Sequence, residues 1–150
     1  MNSQFVFKKF KTSDHHLYAQ SVALRQKILR APLGKCFSAD DLAIEKNNQF
    51  YALLFNGKVI ATLSTYEKSE NLIRLVSFAV DSTFQYQGAG SSLLKQTLSD
   101  IKNCEYDKIS LTARESALGF YLKNGFEDIS GPFANKILGI IDYEMVLCLT

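Results

Sequence analysis

The 150-residue sequence is poor in the residues that break or staple a chain, with 2 Pro, 8 Gly, 3 Cys, 2 His and no Trp. So little proline and glycine beside 47% hydrophobic residues excludes a collagen-like repeat and a disordered chain. Cys36, Cys104 and Cys148 are odd in number, scattered and without a CxxC pair. They spell neither a disulfide framework nor a zinc knuckle, and free thiols of a cytoplasmic protein are expected. His15 and His16 are neighbours that face different ways on a helix, so no metal site is expected. Charge of one sign is also lacking: 17 basic and 15 acidic residues leave +2, too little to argue for nucleic acid or an anionic membrane. No apolar stretch approaches the roughly 20 residues that span a bilayer. MNSQFVFKKF has no charged run, apolar core and cleavage site of a signal peptide. A single domain over residues 1–150 is expected, since a chain of this size buries roughly 68–70% of its unfolded surface without staples.

What is present reads as alternating elements. Phe5 to Phe10 is a strand, and Ser13 or Asp14 caps a helix with Leu17, Leu24 and Ile28 on one face. Pro32 and Gly34 bracket a turn, and Ser38-Ala39-Asp40-Asp41 opens a short helix to about Lys46 as a capping-box variant. Gln49 to Phe55 and Lys58 to Tyr66 flank Asn56-Gly57, a pair that supplies the positive φ angles of a two-residue hairpin turn. Asn71 to Val80 is a third strand. A helix from about Gly88 to Asn103 follows, with Leu94, Leu98 and Ile101 in phase. Lys108 to Ala113 is a strand, Glu115 to Lys123 a helix stopped by Asn124-Gly125, and Phe126 to Ser130 and Ile140 to Leu149 two more strands. The order β-α-α-β-β-β-α-β-α-β-β implies an α/β fold with a mixed sheet covered on both faces. Ligands favour the place where strands of such a sheet diverge.

One loop carries chemistry. Gln85-Tyr86-Gln87-Gly88-Ala89-Gly90 lies between a strand and a helix, where glycines admit close backbone approach. The first turn of that helix offers unpaired N–H groups and the positive end of the macrodipole, with the Ser91 and Ser92 hydroxyls added, so it suits a pyrophosphate. A Rossmann fingerprint needs a third Gly where Leu93 stands, and a Walker A loop needs GK[ST] where Ser91-Ser92 follow.

The loop resembles the pyrophosphate loop of the GCN5-related N-acetyltransferase (GNAT) superfamily, Q/R-x-x-G-x-G/A, at every fixed position. The element order is similar too, as is the segment Leu111 to Tyr121 followed by Asn124-Gly125-Phe126, which resembles the family's "strand, A-x-x-FY, GF" stretch. Leu24-Arg25 and Ile28-Leu29-Arg30-Ala31-Pro32-Leu33-Gly34 resemble a branch of small bacterial members with an "LR…VLR-x-PLG" first helix. That branch has "GIPH-x-x-M" near its end; here Gly139 to Met145 puts Asp142 in place of the His.

The resemblance implies a GNAT fold and acetyl-CoA as acyl donor. Backbone of Phe78, Ala79 and Val80 would pair with the pantetheine arm as an added strand, and one of their N–H groups would polarise the thioester carbonyl. Gln85, and the N–H groups from Gln87 through Gly88, Ala89 and Gly90 to Ser91, would form the pyrophosphate site. Tyr121 would be the general acid for the departing thiolate, and Arg114 a contact to a cofactor phosphate. Glu67, Asp142 and Glu144 are candidate bases. Arg25, Arg30 and the Ala31 to Phe37 loop would wall the acceptor, two arginines suiting a carboxylate or phosphate on it. No Ser/Cys–His nucleophile is recognisable, so direct transfer to a primary amine is expected. The partner is then a small-molecule or peptide amine, and a homodimer is compatible. A non-catalytic acyl-CoA-binding sensor of the same fold is the other reading, because the loop serves both.

Overall fold

A computed structural model describes residues 5–149. The chain runs β1 (Phe5–Phe10), α1 (His15–Arg25), α2 (Ala39–Ile44), β2 (Gln49–Phe55), β3 (Lys58–Ser69) and β4 (Leu72–Val80). It continues with α3 (Ala89–Lys102), β5 (Lys108–Arg114), α4 (Leu118–Lys123), β6 (Glu127–Asp128), β7 (Phe133–Asn135) and β8 (Ile140–Cys148). The helix starts follow local chemistry. The Asp14 carboxylate accepts the Leu17 N–H, and Ser38 and Asp41 complete a reciprocal capping box. Asn56 and Gly57 take φ of 51° and 77° between β2 and β3, as the hairpin turn requires.

The strands form one sheet in the order β1-β2-β3-β4-β5-β8-β6, with β7 also on β8. The β4–β5 pair is parallel and the other pairings are antiparallel. Side chains alternate between two cores. Tyr51, Leu53, Leu63, Leu111 and Met145 pack with Leu93, Leu94 and Ile101 of α3 on one face. Phe10, Phe50, Ala52 and Ala79 pack with Leu24 of α1 on the other, joined by Leu17 and Ile28. Covering both faces is what lets β4 and β5 run parallel in the middle of the sheet.

Three elements differ from the sequence reading. The first helix does not continue regularly to Ile28: a π turn spans Gln26–Arg30 and a 3₁₀ turn Ala31–Leu33, where Pro32 withholds an N–H. The expected strand Phe126 to Ser130 shrinks to Glu127–Asp128, because the Asp128 carboxylate accepts the Ser130 and Gly131 N–H groups and turns the chain. The unexpected β7 pairs with the start of β8, Phe133 opposite Asp142.

Candidate active site

The ladder between β4 and β5 joins only Leu72–Arg74 to Lys108–Ser110. Beyond it the strands part, and Leu75–Val80 and Leu111–Arg114 line a cavity of about 610 Å³. A bulge drives the separation. The β3–β4 register shifts between Thr62 and Ser64, and on β4 Ser77 sits at φ 57°. An L residue in that region is uncommon and is a recurrent sign of a functional site. Nothing in the sequence marks this position, since the residue is a serine and not a glycine.

The cavity leads from the unpaired edge of β4 to the start of α3. Gly88 caps this helix at φ 81°, and the first intrahelical bond is Ser92 N–H to the Gly88 carbonyl, 2.9 Å. The N–H groups of Ala89, Gly90 and Ser91 precede that bond, so they are the orphan donors of the helix start. A Cβ on Gly90 would stand 3.3 Å from Val80 Cγ2 and 3.5 Å from the Phe120 ring. Gly90 therefore serves protein packing, whereas Gly88 serves backbone conformation.

The side chains of both glutamines bond within the loop. Gln85 Nε2 donates to the Val80 carbonyl at 3.1 Å. Gln87 Nε2 donates to the Thr83 carbonyl at 2.9 Å, and its N–H to the Phe84 carbonyl at 3.3 Å. The Gln87 backbone N–H and one side-chain N–H are thus engaged within the loop. Phe78 and Val80 pack toward α3 and α4, while Ala79 joins the α1 side, so what all three present to the cavity in common is backbone.

Tyr121 lies on α4 in the cavity wall, 7% exposed, with its ring against Phe78, Phe120 and Phe126 at 6.2, 5.2 and 5.6 Å. Burial raises its phenol well above the ordinary value, so the group holds its proton. It is therefore present as the protonated phenol at neutral pH, the form a general acid needs and a base does not have.

The arginines are redistributed. Arg25, expected in the acceptor wall, is fully buried and makes a two-pronged ion pair with Glu45, at 2.7 and 2.6 Å. Tyr18 donates to the same carboxylate at 2.6 Å, and burial, followed by this bond, pushes its phenol up to about 12. The Phe37 and Phe50 rings lie 5.1 and 5.6 Å from the guanidinium. Arg25 is a packing element, because its charge is already satisfied on the α1 side of the sheet. Arg30 does line the cavity. Arg114, expected on a cofactor phosphate, lines the same cavity and donates to the Leu29 carbonyl at 2.6 Å, on the side of the turn after α1.

A second cavity of about 570 Å³ adjoins, between that turn and the β7–β8 hairpin, lined in part by Leu33, Arg114, Ser116, Asn135 and Ile140. Asp142 lies beside it, 3% exposed and opposite Arg114. One of its oxygens accepts from Asn135 Nδ2 at 2.9 Å, and Oδ1 is buried without a hydrogen bond. The other candidate bases are engaged. Glu144 is held by Arg74 and Thr112. Glu67 accepts from Tyr106 at 2.8 Å and pairs with Ile73, at the end of β4 away from the cavity. The three cysteines are exposed free thiols, and the described residues hold no cluster of three metal-binding side chains. No helix among them is long and apolar enough to cross a membrane.

No curated protein matches this sequence. Solved structures of similar fold include the ribosomal-protein-S18-alanine N-acetyltransferase from Escherichia coli, 19% identical, covering 97% of this chain and 94% of that one, TM-score 0.79. An acetyltransferase of the GNAT family from Staphylococcus aureus is 18% identical over 97% and 99% of the chains, TM-score 0.77. A GNAT family acetyltransferase from Elizabethkingia anophelis, solved with acetyl-CoA bound, is 19% identical over 98% and 99%, TM-score 0.73. At such identities the likeness shows the fold. The model of the acetyltransferase (GNAT) domain matches residues 23–147, so a parted strand pair, an anion-ready helix start and a buried phenol stand here in a chain that belongs to the GNAT family.

Proposed function

We propose that this chain is an N-acetyltransferase that moves the acetyl group of acetyl-CoA directly to a primary amine. The observation that carries the reading is the unpaired edge of β4 leading to the orphan N–H groups of α3. An extended pantetheine arm would add to that edge as a strand, and the N–H groups of Ala89, Gly90 and Ser91 would take the pyrophosphate. Acetyl-CoA brings the activated acetyl group. The amine nitrogen forms the new C–N bond and the C–S bond breaks; the thiolate receives the Tyr121 proton, the amine gives one proton to solvent, and the phenol takes one back, so that acetylated amine and free thiol are the products. A backbone N–H of Phe78 or Val80 would stabilise the developing oxyanion.

A second reading, a non-catalytic acyl-CoA-binding module, draws support from one observation. Two of the three candidate bases, Glu67 and Glu144, are already committed to other partners, and the third, Asp142, is buried. One assay separates the two. Release of free thiol from acetyl-CoA that depends on an added amine, across a mixed amine panel, is the enzyme's signature. Tight acetyl-CoA binding with no amine-dependent release would establish the module instead.

A further inference from the structure

We propose that the acceptor is an amine bearing a single carboxylate, and that Arg30 and Arg114 together seat that carboxylate. The inference rests on the acetyl transfer proposed above and names its acceptor class.

The two guanidinium groups converge on one atom. Arg114 Nη2 lies 2.6 Å and Arg30 Nη1 3.3 Å from the carbonyl oxygen of Leu29, in the irregular turn after α1. A carbonyl accepts hydrogen bonds but cancels no charge, so two like charges are held side by side. The ion pairs among the described residues are Lys9–Asp100, Arg25–Glu45 and Arg74–Glu144, and neither of these arginines takes part. Burial, and then the neighbouring Arg30 charge, lowers the pKa of Arg114, as expected for two half-buried cations brought together. Such a pair is relieved by an anion that binds both forks.

Position says whose anion it is. Arg30 faces the first cavity, and Arg114 is shared between the first and the second. A group bound to both therefore sits at the junction, on the side of the turn after α1. The cavity holds a separate set of anion donors in the first turn of α3. The second cavity adds Leu33, Ile140 and Ile141, an apolar wall for the carbon body of a small acceptor.

Charge says which anion. Asp142 acts on Arg114 from the opposite strand position without forming an ion pair, and it is buried. Asp41 acts on Arg30 but is an exposed carboxylate accepting the Ser38 N–H at 2.9 Å, so solvent screens it. Two half-buried guanidiniums against one buried carboxylate leave close to one positive charge at the junction. A carboxylate matches that excess and the planar fork, whereas a phosphate dianion would add charge against buried Asp142.

The test begins with calorimetric titration of acetyl-CoA. Thiol release is then followed with free amino acids, each paired with its own carboxamide, and with 2-aminoethyl phosphate. Free amino acids should be used with kcat/KM at least about tenfold above the matching carboxamides. Arg30→Gln and Arg114→Gln should remove that preference by raising KM for the acid, with kcat changed less than about twofold. Arg114→Lys should keep part of it. Arg30→Gln serves if Arg114→Gln fails to fold, since the Arg30 bond to Leu29 is the longer. Equal use of carboxamides, preference for the phosphate, or no acetylated amino acid in a chain that binds acetyl-CoA would overturn the inference. So would Arg30→Gln weakening acetyl-CoA and not the acceptor, because the anion would then be the cofactor's. Absence of acetyl-CoA binding would instead overturn the acetyl-transfer reading itself.

Discussion

Gly90 and Val80 meet across the mouth of the cavity so closely that a Cβ on the glycine would stand 3.3 Å from the valine Cγ2. This contact fixes the start of α3 against the end of β4, the two elements whose backbone groups face the cavity. A branched residue at position 90 crowds the Val80 side chain and the Phe120 ring, which must give way at the cavity wall. Gly90→Val should therefore weaken acetyl-CoA by more than tenfold, about 1.4 kcal/mol, in a calorimetric titration. Gly88→Val acts differently. Space is open around it, but its φ of 81° makes a β-branched residue costly. It should lower the unfolding free energy by about 1–2 kcal/mol, read by denaturant titration, besides weakening acetyl-CoA.

Tyr121→Phe should lower kcat by about 10²–10⁴-fold, the usual contribution of a positioned acid. The ring keeps its contacts with Phe78, Phe120 and Phe126, so the melting temperature should barely move. The deficit should shrink with a thioester of a more acidic thiol, which needs less help in leaving. Normal turnover in this variant would make the hydroxyl structural.

The pH profile tests the same residue from its other side. An alkylamine acceptor is protonated below about pH 10, so kcat/KM should climb as pH rises and frees the nucleophile. Tyr121 must stay protonated to act, and burial raises its pKa above the ordinary phenol value of about 10. No alkaline decline from loss of its proton is therefore expected up to about pH 10. A fall in rate beginning near pH 8–9, absent in Tyr121→Phe, would contradict the buried phenol.

Arg25 and Arg30 should separate cleanly. Removing one partner of a buried ion pair costs about 3–5 kcal/mol, so Arg25→Ala should unfold far more easily in urea. Glu45→Gln should destabilise in the same direction, and replacement of both partners by apolar residues should recover much of the loss. Arg30→Ala, which loses a stack on the Phe37 ring at 4.3 Å and no ion pair, should destabilise far less than Arg25→Ala and raise KM for the acceptor.

Much of the fold was legible because its signals are local. Asp14 and Ser38 cap helices through bonds to N–H groups three residues on, and Asn56-Gly57 closes a hairpin with its own φ angles. The phase of Leu94, Leu98 and Ile101 shows which face of α3 is inward, and Gly88 supplies the left-handed φ at which that helix opens. In each case the interacting atoms lie within a turn or two of chain, where residue type and spacing nearly fix the geometry.

The tertiary structure decided the rest. Ser77 adopts a left-handed φ because the β3–β4 register forces it, and no feature of a serine foretells that. Phe133–Asn135 becomes a strand only because β8 offers it an edge. The sequence alone determined that the chain carries arginines beside the PLG turn; it could not say which of them is spent. Arg25 finds Glu45 across 20 residues, and Arg114 reaches Leu29 across 85. Whether a guanidinium is neutralised or left for a ligand depends on which carboxylate folding buries against it, and that desolvated pairing is settled by packing and not by local spacing.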